Sequence, residues 1–325
     1  MDRIVHASEH DRRELFGETA ARKGMTPAVV EKDFWVCWIL WKIFADESLS
    51  RRLLFKGGTS LSKAFGLIRR FSEDVDLILD WRQVTREDPT AERSNSAQLR
   101  LNKTIEGASR AYLARVLLPD LAARLGDATR LEINPDEPDV ISVHYPKSFD
   151  DQYIRPEVRL EVGPLAVWLP NELRTITPYA ADAFPGMFGQ AGCDVQVVRA
   201  ERTFWEKATI LHHEANRPES SPQPPRYSRH YYDLAMMCQS PVRRTALEQI
   251  DLLESVVTFK MKFYPRNWAR YELAKPGTLR LVPDGLVRRA VEKDYVDMRH
   301  MIFGEVPTMD EIFWELGQLE LDING

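Results

Sequence analysis

Apolar residues recur at helical spacing near the N-terminus and again through the last third of the chain. Ser8 is placed to cap a first helix that Gly24 ends, and Thr26 to cap a second helix that begins with Pro27. The same 3.6-residue spacing predicts further helices over residues 92–125, 200–215, 229–239, 242–262, 283–299 and 308–321. The two ends of the chain are therefore predicted to be helical.

Short apolar segments with strand-like alternation lie between these helical regions. They predict strands over residues 53–56, 75–80, 128–133, 139–145, 154–162 and 194–198. We therefore expect an α+β fold with a mixed β-sheet core. An N-terminal helical part at 1–50 is predicted to pack on a sheet core at 51–200, and a helical C-terminal domain is predicted at 201–325.

Composition and charge favour a globular protein inside the cell. Hydrophobic residues make up 44% of the chain and charged residues 29%, which excludes disorder as the dominant state. The longest apolar run has eight residues, too few for a bilayer, and the charged N-terminus lacks a signal-peptide core. Three scattered cysteines exclude a zinc or disulfide framework, and a net charge of −5 still permits a local basic groove. We expect a cytoplasmic location and no membrane partner.

The segment that carries candidate chemistry is LLFKGGTSLSKAFGLIRRFSEDVDLIL, residues 53–79. Gly57 and Gly58 lie between a predicted strand and a predicted helix, where backbone can approach a ligand and helical N–H groups favour phosphate. Asp74 and Asp76 are two residues apart on the next strand and so share a face, where both carboxylates can ligate divalent metal ions. A triphosphate on the glycine turn and two Mg²⁺ ions on the aspartates would meet at one α-phosphorus, the geometry of nucleotidyl transfer.

Each half of this pattern has an ordinary structural explanation when it occurs alone. A glycine pair is usually a turn, and an Asp-x-Asp motif is usually an exposed strand edge or a helix cap; the interpretation depends on their order and spacing. Phosphatases of the haloacid dehalogenase type also use Asp-x-Asp, but at the end of an apolar strand. Here the pair opens the strand, and Ile78 stands where Thr or Val belongs, so this class is excluded.

The glycine pair followed by Asp-x-Asp resembles the DNA polymerase β-like nucleotidyltransferase superfamily. KGGTSLSKAFGLIRRFSEDVDL is similar to the AbiEii (MenT-type) toxins of type IV toxin–antitoxin and abortive-infection systems, as are VVEKDFWVCWIL (29–40), ERTFWEKATILHHEANRP (201–218) and RHYYDLAMM (229–237). The resemblance implies a nucleotidyltransferase core, Mg²⁺ as cofactor, and NTP as substrate. It also implies the tRNA 3′ end as acceptor and a cognate antitoxin as partner.

The resemblance also suggests roles for individual residues. Asp74 and Asp76 would be the metal carboxylates. The β,γ-phosphates would be held by Gly57, Gly58, Thr59 and Ser60. Lys207 matches a family lysine expected to pair with triphosphate, and Asp233 matches a second-motif aspartate implicated in activity. Either Glu161 or Asp233 would help deprotonate the acceptor hydroxyl.

A third carboxylate is often supplied by a later strand in this superfamily. Glu161, between Leu160 and Val162, fits best as a metal ligand or general base, while the alternative is the polar face of an edge strand. Glu157 and Asp150 are weaker candidates. Ser72 matches a serine whose phosphorylation silences some family members, because added phosphate would repel a triphosphate.

Residues 259–271, FKMKFYPRNWARY, carry four basic residues interleaved with aromatic ones and no acidic residue. Such a stretch suits single-stranded RNA, and equally a buried aromatic seam with snorkelling basic side chains. Four arginines nearer the predicted chemistry are candidates for contacts with the backbone of the acceptor: Arg69, Arg70, Arg226 and Arg229.

Two other functions remain open beside transfer to tRNA. Enzymes that modify a small molecule such as an aminoglycoside share the glycine turn and the aspartate pair but need no long basic surface. A catalytically silent nucleotide-binding module would use the same pocket without turnover. Labelling of RNA, labelling of a drug, or binding without transfer distinguishes the three.

Overall fold

The structure, a computed structural model, describes residues 1–72, 74–151 and 154–325, and they form two compact units. The first unit comprises 1–65 and 71–198, and the second comprises 66–70 and 199–325. Residues 66–70, which we call the strap, therefore belong with the second unit although the chain of the first unit precedes and follows them. In the described parts of the chain, no helix combines the length and apolar character needed to cross a membrane.

The N-terminal helices of the first unit begin and end where the sequence predicts. Ser8 accepts a hydrogen bond from the Asp11 N–H as the N-cap of its helix, and Gly24 ends that helix in the left-handed conformation. Thr26 caps the following helix. The helices of this unit are α1 (Asp2–Val5), α2 (Glu9–Lys23), α3 (Pro27–Phe44), α4 (Glu47–Ser50), α5 (Gly57–Lys63), α6 (Asn95–Tyr112), α7 (Leu118–Leu125) and α8 (Tyr179–Ala183).

Within the described residues, seven strands form one mixed sheet in the order β3-β4-β5-β2-β1-β7-β6. They are β1 (Leu53–Lys56), β2 (Asp74–Leu79), β3 (Arg130–Glu132), β4 (Val140–His144), β5 (Glu157–Gly163), β6 (Asn171–Ile176) and β7 (Cys193–Val198). The pairs β2–β5 and β1–β7 are parallel, whereas the other neighbours are antiparallel. The predicted α+β class with a mixed sheet is confirmed.

The two faces of β2 differ in polarity, because successive side chains point to opposite sides of a strand. Val75, Leu77 and Leu79 join the main apolar core, to which α2 and α3 contribute buried aromatic and aliphatic side chains. Asp74 and Asp76 lie on the other face. The apolar core thus fixes the register that turns both carboxylates to one side.

The second unit is helical, as predicted. Its helices are α9 (Ala200–Ala215), α10 (Ser228–Cys238), α11 (Val242–Leu247), α12 (Ile250–Phe263), α13 (Gly285–Met298) and α14 (Met309–Asn324). Thr308 and Glu311 form a capping box at the start of α14. One predicted helix, 242–262, is divided into α11 and α12 in the structure.

Among the described elements, the strand β6 was not predicted, and neither were the short helices α1, α4 and α8. The sequence of β6, NELRTI, has polar residues at four of its six positions, none of them buried, and lacks the apolar alternation of the other strands. Its pairing with β7, from Asn171↔Val198 to Ile176↔Cys193, supplies the stabilisation that its own side chains do not provide. Tertiary pairing therefore decides the conformation of this segment.

Candidate active site

The glycine turn begins α5 directly after β1. Gly57 has φ +82°, a conformation that glycine adopts without a steric penalty. A Cβ placed on Gly57 would lie 1.9 Å from Oδ2 of Asp76, so the carboxylate of Asp76 lies directly against this bend. The predicted phosphate turn and one predicted metal carboxylate are therefore in contact.

The hydroxyl groups of Thr59 and Ser60 are occupied inside the chain. Thr59 Oγ1 donates to the carbonyl of Asp74, and Ser60 Oγ donates to the carbonyl of Gly57 at 2.8 Å. Both residues are buried. The first N–H groups of a helix have no acceptor within the helix, so the backbone N–H groups, and not these hydroxyls, are the groups of the turn that are available to a phosphate.

The candidate carboxylates share one face of the sheet. Asp74 and Asp76 are two residues apart on β2, and Glu161 on β5 is the register partner of Asp76. Neighbouring strands lie about 4.8 Å apart, which brings the backbones of Asp76 and Glu161 side by side. Since β5 lies between β4 and β2, Glu161 is on an inner strand and not on an edge; its side chain is exposed.

Basic residues balance this acidic face. The guanidinium of Arg159 lies 3.4 Å from Oδ1 of Asp74 and makes a bidentate pair with Glu137, at 2.9 and 2.7 Å. The hydrogen bonds to Glu137 raise the pKa of Arg159 above its ordinary value. Arg159 therefore remains charged and orients the carboxylate of Asp74.

The weaker carboxylate candidates are engaged in local ion pairs. Glu157 lies 3.7 Å from Nε2 of His144 and 4.0 Å from Arg159, and Asp150 pairs with Lys147. Ser72 is half-buried, and its carbonyl accepts a hydrogen bond from Thr59 at 3.4 Å.

Lys207 and Asp233 meet in the second unit. Lys207 on α9 lies 2.7 Å from Oδ2 of Asp233 on α10, and both side chains are buried. Arg70 of the strap binds the same carboxylate in a bidentate manner, at 2.7 and 2.8 Å. We call this group, Arg70 with Asp233 and Lys207, the triad.

The triad makes Asp233 unsuitable as a general base. Burial alone would raise the pKa of Asp233, but the charges of Arg70 and Lys207 outweigh burial and hold that pKa well below its usual range. Both carboxylate oxygens are already hydrogen-bonded. The suggestion that Asp233 deprotonates an acceptor hydroxyl is therefore not supported, and its place is beside Lys207.

The position of Arg70 argues against its predicted contact with the backbone of the acceptor. It was a candidate contact for the acceptor backbone, yet only 5% of its side chain is exposed and it serves an internal carboxylate. Sequence reasoning missed this pairing. Sequence spacing carries no signal for it, because Arg70 and Asp233 are 163 residues apart along the chain.

A second buried ion pair, in the first unit, was also missed. Asp33 on α3 lies 2.6 Å from Nζ of Lys63 at the end of α5, with exposed fractions of 3% and 6%. Asp33 also accepts a hydrogen bond from the Tyr179 N–H at 2.7 Å. The sequence does indicate such a pair. Three consecutive charged residues, Glu31 to Asp33, lie inside an apolar helix, and buried charges require partners.

The aromatic and basic stretch 259–271 shows features of both interpretations. Phe263 and Tyr271 are buried, and Lys260 donates to the Glu206 carbonyl at 3.2 Å. Tyr264, by contrast, is 49% exposed. Contact with RNA through this stretch stays a prediction.

Comparison with known proteins gives a family match over most of the chain. The family model "Nucleotidyl transferase AbiEii toxin, Type IV TA system" matches residues 38–318. MenT4, a nucleotidyltransferase toxin from Mycobacterium tuberculosis H37Rv, is similar in structure at 17% identity and a TM-score of 0.43, covering 96% of this chain and 99% of MenT4. A candidate nucleotidyltransferase from H. pylori has 14% identity and a TM-score of 0.35, covering 90% of this chain and 94% of its own. No curated protein matches.

Proposed function

Because the chain belongs to the AbiEii nucleotidyltransferase toxin family, we propose that it is an Mg²⁺-dependent enzyme that adds nucleotides from NTP to the 3′ end of tRNA. The observation that supports this most is the contact between the carboxylate of Asp76 and the bend at Gly57. A nucleotide whose phosphates lie on that bend has its reacting phosphorus beside the carboxylate.

The residues present suit Mg²⁺. Asp74 and Asp76 offer hard oxygen donors from one face of β2. Among residues 1–72, 74–151 and 154–325, no group of three His, Cys, Asp or Glu side chains has metal-binding geometry. Mg²⁺ is usually held by one or two carboxylates together with substrate phosphates, so Asp74 and Asp76 would hold it, with Glu161 as a third candidate. When bound, the metal would neutralise charge on the α-phosphate oxygens.

Backbone and side-chain groups of this protein would bind the triphosphate and accept the proton of the acceptor. The N–H groups at the start of α5 would hold the β,γ-phosphates, and the ammonium of Lys207 would pair with the triphosphate. Glu161, exposed and in register with Asp76, would accept the proton of the acceptor 3′-hydroxyl. The new bond joins the 3′-oxygen to the α-phosphorus, the bond from that phosphorus to the bridging oxygen breaks, and pyrophosphate leaves.

Membership of this family also suggests how the activity is regulated. We propose a cognate antitoxin as a protein partner. We also propose Ser72, two residues before Asp74, as a site where phosphorylation inhibits the enzyme, since a phosphate there would repel the incoming triphosphate.

The test is transfer of label from each α-³²P-NTP to total tRNA. Asp74→Ala and Asp76→Ala are expected to abolish transfer. Gly57→Ala is expected to lower it at least about 100-fold, because the added methyl group overlaps Oδ2 of Asp76. Gly24→Ala is the matched control: its φ of +64° imposes similar backbone strain, but its Cβ would have no neighbour within 4 Å.

Full transfer by Asp76→Ala would refute the mechanism. Labelling of an aminoglycoside instead of RNA would favour the small-molecule enzyme. Magnesium-dependent NTP binding by wild type without turnover on any acceptor would favour the silent module. Equal losses in Gly57→Ala and Gly24→Ala would show that backbone strain, and not displacement of Asp76, is responsible.

A further inference from the structure

The hydroxyl of Thr59 joins the glycine turn to the strand that carries the two aspartates. Thr59 lies in the first turn of α5, and its side chain is buried. Its Oγ1 donates to the carbonyl of Asp74, the first residue of β2, and lies 3.4 Å from the carbonyl of Ser72. A threonine hydroxyl has one hydrogen to donate, so the hydrogen that a phosphate oxygen would need is already used inside the protein.

This hydrogen bond supports a part of β2 that extends past β1. The antiparallel pairing of β1 with β2 ends at Lys56↔Asp76, because α5 begins at the next residue. Asp74 lies two residues beyond that pair, and the neighbour of β2 on the other side is β5. The hydroxyl of Thr59 therefore holds the backbone of Asp74 beyond the end of β1.

The glycine turn and the first turn of α5 thus contact β2 at both aspartates. The Cβ position of Gly57 lies against Oδ2 of Asp76, and Thr59 holds the backbone of Asp74. The side chain of Asp74 is held separately, since the guanidinium of Arg159 lies 3.4 Å from its Oδ1. Backbone and carboxylate of one candidate metal ligand are therefore fixed by different elements, which is the support that orients such a ligand.

We propose that Thr59 is a positioning residue that fixes Asp74 relative to the glycine turn, and that it does not bind the triphosphate itself. Metal affinity depends on how well the ligands are oriented by the groups behind them. A displaced Asp74 would weaken binding of the divalent ion, whereas the phosphates would still bind to the backbone N–H groups of α5. This inference rests on the proposed function.

The test measures metal binding and nucleotide binding separately. Thr59→Val has nearly the same shape without the hydroxyl, so its dissociation constant for Mn²⁺, measured from the EPR signal of free Mn²⁺, is expected to rise about tenfold or more. Thr59→Ser keeps the donor and should stay within about threefold of wild type. Binding of α-³²P-NTP in EDTA, measured by equilibrium dialysis, should change less than about twofold in both variants, because backbone groups bind the phosphates.

Thr19→Val is the matched control for the loss of a buried hydroxyl. Thr19 is buried, and its Oγ1 donates to the Leu15 carbonyl at 2.7 Å within α2. Thr19→Val should lower the urea midpoint of unfolding to a similar extent as Thr59→Val, but it should leave the affinity for Mn²⁺ unchanged. Thr59→Cys, whose thiol is a weak donor, replaces Thr59→Val if the latter does not fold.

Kinetics provide a further readout. In Thr59→Val, kcat for transfer is expected to fall at least about tenfold while the KM for NTP changes less than about threefold, since metal orientation and not phosphate binding is disturbed. Thr59→Ser should restore kcat. A raised KM with unchanged kcat would indicate a direct phosphate contact and would overturn the inference.

Equal affinity of Thr59→Val and wild type for Mn²⁺ would also overturn the inference, whether or not the wild-type protein transfers nucleotides. Weaker binding of NTP in EDTA by Thr59→Val, with unchanged affinity for Mn²⁺, would make Thr59 a phosphate ligand instead of a positioning residue. Selective loss of Mn²⁺ affinity in Thr59→Val, together with a wild-type protein that transfers to no acceptor, would keep the positioning role and reject the proposed function.

Discussion

Lys63 and Lys207 are both buried lysines beside a buried aspartate, yet their surroundings affect them in opposite directions. Nζ of Lys63 lies 2.6 Å from Asp33, and Nζ of Lys207 lies 2.7 Å from Asp233. Burial alone would lower the pKa of Lys63, but the charge of Asp33 outweighs burial and raises it. The pKa of Lys207 is lowered instead.

The difference between the two sites is the second cation. Asp33 is shared with the Tyr179 N–H, a neutral donor, whereas Asp233 is shared with Arg70. The first pair is electrically balanced and joins α3, α5 and the start of α8. The second joins Lys207 on α9 and Arg70 of the strap through one carboxylate on α10. The first pair suits a structural role, whereas for Lys207 we propose pairing with a triphosphate.

Removing the aspartates should give the largest effect on stability. Asp233→Asn removes the buried carboxylate that Arg70 and Lys207 share, so we expect a loss of about 3–5 kcal/mol in the free energy of unfolding. Asp33→Asn leaves one lysine, which can lose its proton, and should lose less. Urea unfolding at neutral pH measures both. A larger loss in Asp33→Asn would contradict this order.

The same variants differ in acid. The folded-state pKa of Asp233 is below the unfolded value of about 3.9. Its stabilisation is therefore present above about pH 4 and disappears as the pH falls through the lower folded-state value. Wild type should lose stability below pH 4 more steeply than Asp233→Asn does. Parallel curves for the two proteins would show that Asp233 is not the group responsible.

Replacing the lysines should separate activity from stability. Lys207→Met is expected to lower transfer about 100-fold, because the triphosphate loses a charged partner, while the Arg70–Asp233 pair remains. Lys63→Met leaves Asp33 buried without a cation, so stability should fall by about 3 kcal/mol while transfer per folded molecule stays within about tenfold. Transfer assays and urea unfolding on the same preparations measure both quantities. The reverse pattern would remove the distinction between the two sites.

Much of the fold follows from local sequence signals. The Ser8, Thr26 and Thr308 caps and the strand at 53–56 are found where they were predicted. The strand β6 was missed because its stability comes from pairing with β7 and not from its own residues. The mixed order of the sheet depends on contacts between distant segments, which periodicity does not encode.

For the candidate site, sequence spacing identified the groups but not their partners. The spacing of Asp74 and Asp76 places them on one face of a strand, a local property. The contact of Asp76 with Gly57, the third partner in the triad and the pairing of Asp33 with Lys63 join residues that are far apart along the chain. A buried charge requires a partner, but only the tertiary structure shows which residue that partner is.

Nucleotidyl transfer to an RNA 3′ end is measured most directly by the intact mass of tRNA after incubation with each NTP and Mg²⁺. We expect mass increments of whole nucleoside monophosphates on tRNA, and their loss when periodate has first oxidised the 3′-terminal ribose. Unchanged RNA mass with all four NTPs, or increments that survive periodate treatment, would contradict it.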